Sequence, residues 1–194
     1  MTLYNNEIDD KLIQSNVHNF INNLEYCDDH FIKVYLSASI TTIASTLNFI
    51  LFDKSVSDNN INDFTLNFDN LEDTHFSEIF KTISMCIYIA FINNKDNIEF
   101  LEDKNISTNT LLDEITKCFN YNKNDIKNLN YLINERESSQ KEGNPASYYI
   151  KLYRLIIQPF NQNKDINPFA AVTFQKILLD NYASLFYDIL RNNI

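Results

Sequence analysis

Glycine and proline are nearly absent from this chain of 194 residues, which has one glycine, Gly143, and three prolines, and tryptophan is missing altogether. Tight turns between strands favour glycine because its backbone reaches positive φ without strain. Phosphate-binding loops use clustered glycines. A sheet-rich fold and a nucleotide-binding loop are therefore disfavoured, and a helical bundle is favoured.

Basic residues are also scarce: 16 Lys and Arg stand against 26 Asp and Glu, a formal net charge of −10. Nucleic acid is bound through Lys and Arg that neutralise its phosphates, and anionic membrane surfaces attract basic segments. An acidic chain instead fits solubility or a basic protein partner. We therefore expect a protein partner, with no nucleic acid and no small-molecule substrate.

The cysteine count and the N-terminus indicate a cytoplasmic protein. Three cysteines form an odd set, and Cys86 and Cys118 fall on apolar helix faces, which is typical of reduced core thiols. The opening residues MTLYNNEIDDK lack the basic and apolar regions of a signal peptide. The longest nearly unbroken apolar run, Met85–Ile92, is shorter than the about 20 residues that span a bilayer. No membrane-spanning segment is predicted.

Apolar residues recur at helical spacing along most of the chain. The pattern predicts an all-α helical bundle of seven to eight helices, forming one domain over residues 1–194. Two packed three-helix subbundles are one arrangement, with a subdomain boundary near 135–144, where the polar stretch ERESSQKEGN ends a helix. The most apolar helix, around 79–95 and capped by Thr74 or Ser77, is expected at the centre. The other helices are predicted at 7–25, 30–52, 96–103, 108–120, from 124, from 145 to about 159, and from 168.

Residues 53–73 differ from the rest, because they hold six carboxylates and one lysine. Long connections inside a compact domain are either functional or mobile. We predict that Asp63, Asp69, Glu72 and Asp73 bind a partner; a solvated connector is the alternative. Alternating apolar residues allow a short strand at Phe64–Phe68.

No catalytic constellation is visible in the sequence. Cys27-x-x-His30 could begin a metal site, but zinc requires four ligands and no second pair follows. The same two residues make a thin case for a nucleophile pair, with Cys27 the one cysteine expected outside the core. Acid pairs such as Glu72–Asp73 and Asp113–Glu114 are expected on solvated faces. We predict no catalytic, cofactor-binding or metal-binding residues.

Tyrosines at 148, 149 and 153 cluster at the start of one predicted helix. Tyrosine is enriched at binding hot spots, so the cluster is a candidate binding surface. Half-buried packing within the bundle is the more common role for tyrosine on such a helix.

Two stretches resemble the cytoplasmic domain of the TssL/DotU (IcmH) family of type VI secretion systems. KVYLSASITTI at 33–43 places Leu36, Ser37 and Ala38 where that family has a Leu-Cys-Ala pattern. MCIYIAF at 85–91 is similar to the family's Cys-Leu-x-Leu-Gly-Phe pattern, with Ala90 in the place of its glycine. The resemblance covers about residues 10–120.

The resemblance implies a non-catalytic scaffold subunit at the cytoplasmic face of a bacterial inner membrane. Its partners would be the large IcmF-like membrane subunit and baseplate components. Membrane association would come through a partner or through an anchor missing from this chain. Two alternatives stay open: a small acidic immunity or inhibitor protein that masks a basic partner, and a helical enzyme whose site is assembled across helices.

Overall fold

The computed structural model describes the backbone of residues 3–52, 73–156 and 182–194. Within these ranges the helices are α1 Leu3–Asn23, α2 His30–Phe52, α3 Asp73–Ile92, α4 Lys95–Asp103, α5 Thr108–Cys118, α6 Lys123–Lys141 and α7 Pro145–Ile156. A 3₁₀ turn, Leu24–Tyr26, follows α1, and residues 182–193 form α8. The same ranges contain no strand, which confirms the predicted all-α fold. The strand predicted at Phe64–Phe68 lies outside them.

α3 lies at the centre of the bundle, as its composition predicts. Ile83, Ile87 and Ile89 are almost completely buried, and α3 packs against α1, α2, α4, α5, α6 and α7. A helix with neighbours on most sides does not need a polar face. The packing explains why the sequence from Met85 to Ile92 is almost entirely apolar.

α3 belongs to two sets of mutually packed helices. In the first, α1, α2 and α3 pack against one another and α5 contacts all three; in the second, α3, α6 and α7 pack against one another. The two sets share α3 and the first has four helices, whereas the predicted subbundles had three helices each. A subdomain boundary near 135–144 stays a prediction.

α6 does not fade at Glu135, as its polar sequence suggested, but continues to Lys141. The polar residues of its last turns bind their neighbours. Lys151 of α7 forms an ion pair with Glu135, and the Oγ of the buried Ser139 donates to the carbonyl of Arg136 at 2.9 Å. Contacts with α7 hold this segment helical.

Asparagine takes the place of glycine at two helix ends. After α4 and α5, Asn105 and Asn120 have φ of 57° and 52°. Each closes a Schellman motif. After α4 the N–H of Ile106 donates to the carbonyl of Leu101 at 2.9 Å, and after α5 the N–H of Tyr121 donates to the carbonyl of Thr116 at 2.9 Å. Asparagine tolerates this left-handed conformation better than most residues, so the bundle ends these helices without glycine. Gly143, with φ 67°, does the same after α6.

Side-chain caps fix the starts of α4, α5 and α6. Asn94 accepts from Asp96 N–H, Ser107 accepts from Thr110 N–H, and Asn122 forms a reciprocal capping box with Asp125. The predicted caps Thr74 and Ser77 are wrong, because α3 already begins at Asp73 and includes both.

Aromatic rings join α8 to the core. Tyr35 of α2 packs edge-on against Phe91 of α3, with ring centroids 5.1 Å apart, and against Phe186 of α8, 5.2 Å apart. Nearer the start of α3, Phe20 of α1 makes tilted contacts with Phe80 and Phe119. Aromatic pairs in such arrangements stabilise a core beyond the area they bury. Because the chain has no tryptophan, Phe and Tyr provide the large aromatic side chains of the core.

By length and composition α3 could cross a membrane, which corrects the prediction that no segment is apolar enough. The sequence reading counted only Met85–Ile92, whereas the whole helix of 20 residues passes the test. Within the most apolar 18 residues of α3, 67% are buried in the bundle. A buried core helix passes the same test of length and composition.

Candidate functional site

The predicted partner-binding carboxylates lie mostly outside the described residues. Asp63, Asp69 and Glu72 belong to the part about which the structure says nothing. Asp73 is exposed at the start of α3, and its Oδ1 accepts a 2.6 Å hydrogen bond from Nδ2 of Asn16, a buried residue of α1. Asp73 therefore ties α3 to α1, and its role in binding stays a prediction.

Cys27 and His30 differ in their surroundings. Cys27 is buried, which corrects the expectation that it lies outside the core. Its thiol donates to the carbonyl of Asp29 at 3.6 Å, and burial raises its pKa. His30 is exposed at the first position of α2. The described residues include no group of three or more His, Cys, Asp or Glu that could hold a metal ion.

Cys86 and Cys118 are buried thiols, as predicted. Burial raises the pKa of each to about 12. Since the thiolate is the reactive form, both side chains stay protonated and weakly nucleophilic at neutral pH. Their role is packing within the core.

Tyr26 is the most exposed large hydrophobic side chain in the described part of the chain, with 85% of its surface accessible. It ends the 3₁₀ turn and borders a cavity of about 360 Å³. Nδ2 of Asn23 donates to the carbonyl of Cys118 at 2.8 Å, which ties the end of α1 to the end of α5 beside this cavity. The other walls come from Cys27, Leu36, Glu114 and Lys117.

Carboxylates flank Tyr26 on both contributing segments. Glu25 and Asp28 are exposed beside it in sequence, and Asp113 and Glu114 lie on α5, where Glu114 borders the same cavity. Lys117, which lines the same cavity, pairs with Glu114 at 2.5 Å. We name Glu25, Tyr26, Asp28, Asp113 and Glu114 the Tyr26 surface. An exposed aromatic ring among carboxylates can anchor a basic protein surface.

The tyrosine cluster is divided between core and cavity. Tyr148 is buried, Tyr149 is half-buried, and the side chain of Tyr153 is outside the described part. Tyr148 and Tyr149 line a second cavity of about 200 Å³ together with Arg136. The guanidinium carbon of Arg136 lies 5.9 Å from the centroid of the Tyr148 ring. Tyr148 therefore packs within the bundle, which is the more common role of tyrosine on such a helix. Tyr149 is partly exposed and lines the cavity.

A buried polar cluster joins α3 to the start of α6. Nζ of Lys81 lies 3.0 Å from Glu78 and 3.3 Å from Asp125. Burial opposes the charge of Lys81, but the hydrogen bonds of Glu78 and Asp125 outweigh it and raise its pKa. Ser84 and Tyr121 share a hydrogen bond next to this ion pair, and Tyr121 also donates to the Lys81 carbonyl at 3.2 Å. With its polar groups bonded to one another, the cluster fixes two helices against each other.

Neither Tyr26 nor Arg136 was singled out from the sequence. Tyr26 stands in EYCDD, and an aromatic residue inside an acidic connector was the available signal. Arg136 stands in the polar stretch that was predicted to end a helix, so its place on α6 beside α7 was not foreseen.

Comparison with known proteins gives no relative for this chain. No family model, no curated protein and no solved structure matches it.

Proposed function

We propose that this chain is a non-catalytic interaction protein that binds a basic protein partner through the Tyr26 surface. The observation that carries the proposal is the 85% exposure of Tyr26 at a cavity bordered by Glu114, with Glu25 and Asp28 exposed beside Tyr26 in sequence. Tyrosine at such a position supplies a large contact area with few rotatable bonds. The carboxylates would speed association with a basic surface.

The partner assignment follows from the resemblance to the TssL/DotU cytoplasmic domain. Its two patterns lie on α2 and α3, which pack against each other, and Leu36, Ala38, Cys86 and Phe91 are all buried. This placement supports an interpretation in which the shared pattern specifies the bundle. The chain would act in the cytoplasm, at the inner membrane, with the IcmF-like subunit and baseplate components as partners.

A small acidic immunity or inhibitor protein is the second candidate. It is favoured by the same exposed ring among carboxylates, since such a protein has to mask a basic surface on one target. Affinity purification from the native host separates the two candidates. Recovery of several secretion-complex subunits supports the scaffold, whereas stoichiometric recovery of one basic protein supports the inhibitor.

The site itself is tested with Tyr26→Ala in the same purification. Hot-spot truncation costs about 2 kcal/mol or more, so capture of the partner should fall at least about 10-fold. Tyr131→Ala is the matched control, because Tyr131 is an exposed tyrosine on a different helix, α6. Equal capture by both variants would show that partners bind elsewhere on the protein.

A further inference from the structure

A second cavity, distinct from the Tyr26 surface, lies where α3, α6, α7 and α8 meet. α3 contributes Ala90, α6 contributes Arg136, α7 contributes Tyr149, and α8 contributes Tyr182 and Ala183. Its volume is about 200 Å³. An engineered apolar cavity of about 150 Å³ in another protein holds a benzene molecule, so one aromatic ring with a small substituent fits here. Drug-sized ligands need roughly 300 Å³ or more.

The charge of this cavity is opposite to that of the whole protein. Arg136 is its one charged lining residue among those described, and no described carboxylate lines it. The neighbouring Glu135 is engaged by Lys151. In a chain with net charge −10, a half-buried guanidinium beside tyrosine rings is a local site for an anion.

The lining chemistry selects one class of anion. The guanidinium presents donors in a planar fork that matches a carboxylate. Tyr148 and Tyr182 present buried aromatic rings, which favour a flat apolar body over a strongly hydrated ion. Gln140 and Tyr149 add polar groups at the cavity.

We propose that this cavity binds a small organic monocarboxylate with a flat apolar body, with its carboxylate on Arg136 and its ring against the tyrosines. The site goes beyond the proposed protein-binding function and is independent of it. A bound carboxylate would bridge α6 to α8 and so stabilise the docking of α8.

Benzoate is the test probe, and benzamide is its neutral counterpart of the same shape. Binding is followed by the methyl resonances of Ala90 and Ala183 in NMR spectra of the whole chain. Benzoate should shift both resonances with a Kd of about 1 mM, a value that a ligand of this size reaches at modest efficiency. Benzamide should bind at least about 10-fold more weakly, because it lacks the charge that pairs with Arg136.

Arg136→Gln should weaken benzoate binding at least about 10-fold. Arg191→Gln is the matched control: it removes the same charge from an exposed arginine of α8 that contacts Tyr187 and does not line the cavity. Circular dichroism and melting establish that both variants fold. If Arg136→Gln does not fold, the comparison of benzoate with benzamide on the unchanged protein decides.

Three results would overturn the proposal. The first is the absence of methyl shifts at benzoate concentrations well above about 1 mM. The second is equal binding of benzoate and benzamide, or of benzoate to both arginine variants. The third is binding of inorganic phosphate as tight as that of benzoate, since the site would then respond to charge without the aromatic walls.

Discussion

Lys81 and Asp125 form a buried ion pair, with Nζ 3.3 Å from Oδ2, between the central helix α3 and the first turn of α6. Both residues are less than 10% exposed. Asp125 also accepts from the backbone N–H of Asn122 at 2.7 Å, so one carboxylate closes the α6 capping box and holds α3. The pair thereby sets where α6 begins relative to the core.

Breaking this pair should be costly because it leaves a buried charge alone. Lys81→Met is expected to lower the free energy of unfolding by about 3 kcal/mol. The double variant Lys81→Met with Asp125→Asn should recover part of the loss, because the remaining group is neutral. Urea denaturation of the single and double variants measures the coupling. Additive effects would mean that the two side chains do not interact.

Replacement by phenylalanine is expected to have opposite effects on stability at two buried tyrosines. The hydroxyl of Tyr35 has no hydrogen-bond partner in the described part of the chain, whereas that of Tyr88 donates to the Thr108 carbonyl at 3.3 Å. Tyr35→Phe should leave stability unchanged or raise it by about 1 kcal/mol, because an unsatisfied buried group is removed. Tyr88→Phe should lower stability by about 1 kcal/mol. Thermal melts compare them, and a larger loss for Tyr35→Phe would indicate a bound partner for its hydroxyl.

Replacing the asparagines at the two helix ends with glycine should increase the stability of the protein. Asn120→Gly and Asn105→Gly are each expected to stabilise by a few tenths to about 1 kcal/mol, because glycine adopts positive φ without strain. Asn120→Ala should destabilise by about 1 kcal/mol for the same reason. Chemical denaturation ranks the three residue types at position 120. If alanine is as stable as asparagine there, the left-handed conformation is not maintained in solution.

Much of this fold could be predicted from local patterns. α2 was placed at 30–52, and the central place of α3 followed from a run without a polar face, because helical spacing and burial are properties of neighbouring residues. The end of α6 was missed because its stability depends on contacts with α7, such as Glu135 with Lys151. The Arg136 cavity was missed for a related reason: α3 and α8, which complete its walls, are far in sequence from α6 and α7.

Ionisation of the buried tyrosines should be coupled to unfolding at alkaline pH. Burial raises the pKa of Tyr35 and Tyr182 well above 10.0 and raises that of Tyr148 as well. Their folded-state pKa lies above the unfolded value. The free energy of unfolding therefore keeps its full value below about pH 10 and falls as the pH rises towards the folded-state pKa. The buried tyrosines should ionise together, in a cooperative step that accompanies unfolding. Tyrosinate absorbance and circular dichroism record this step, and ionisation of the buried tyrosines without unfolding would contradict the assignment.

The acidic segment before α3 is predicted to contribute to partner binding by charge. Replacing Asp63, Asp69 and Asp73 with Asn and Glu72 with Gln keeps side-chain size and removes four charges. Stability should change little, because the substitutions keep side-chain size and an amide at position 73 can still accept from Asn16. Partner capture should fall most at low salt, where the electrostatic screening length exceeds its physiological value of about 8 Å and charges attract over longer distances.

The control for this experiment is Tyr26→Ala, which is expected to lose capture at all salt concentrations because it removes a packed contact and no charge. A loss that disappears at high salt for the four-carboxylate variant, beside a constant loss for Tyr26→Ala, would assign steering to the acidic segment and anchoring to the Tyr26 surface. If the four-carboxylate variant captures the same partners at the same level in low salt, residues 53–73 serve as a connector, and the binding energy has to come from the helices.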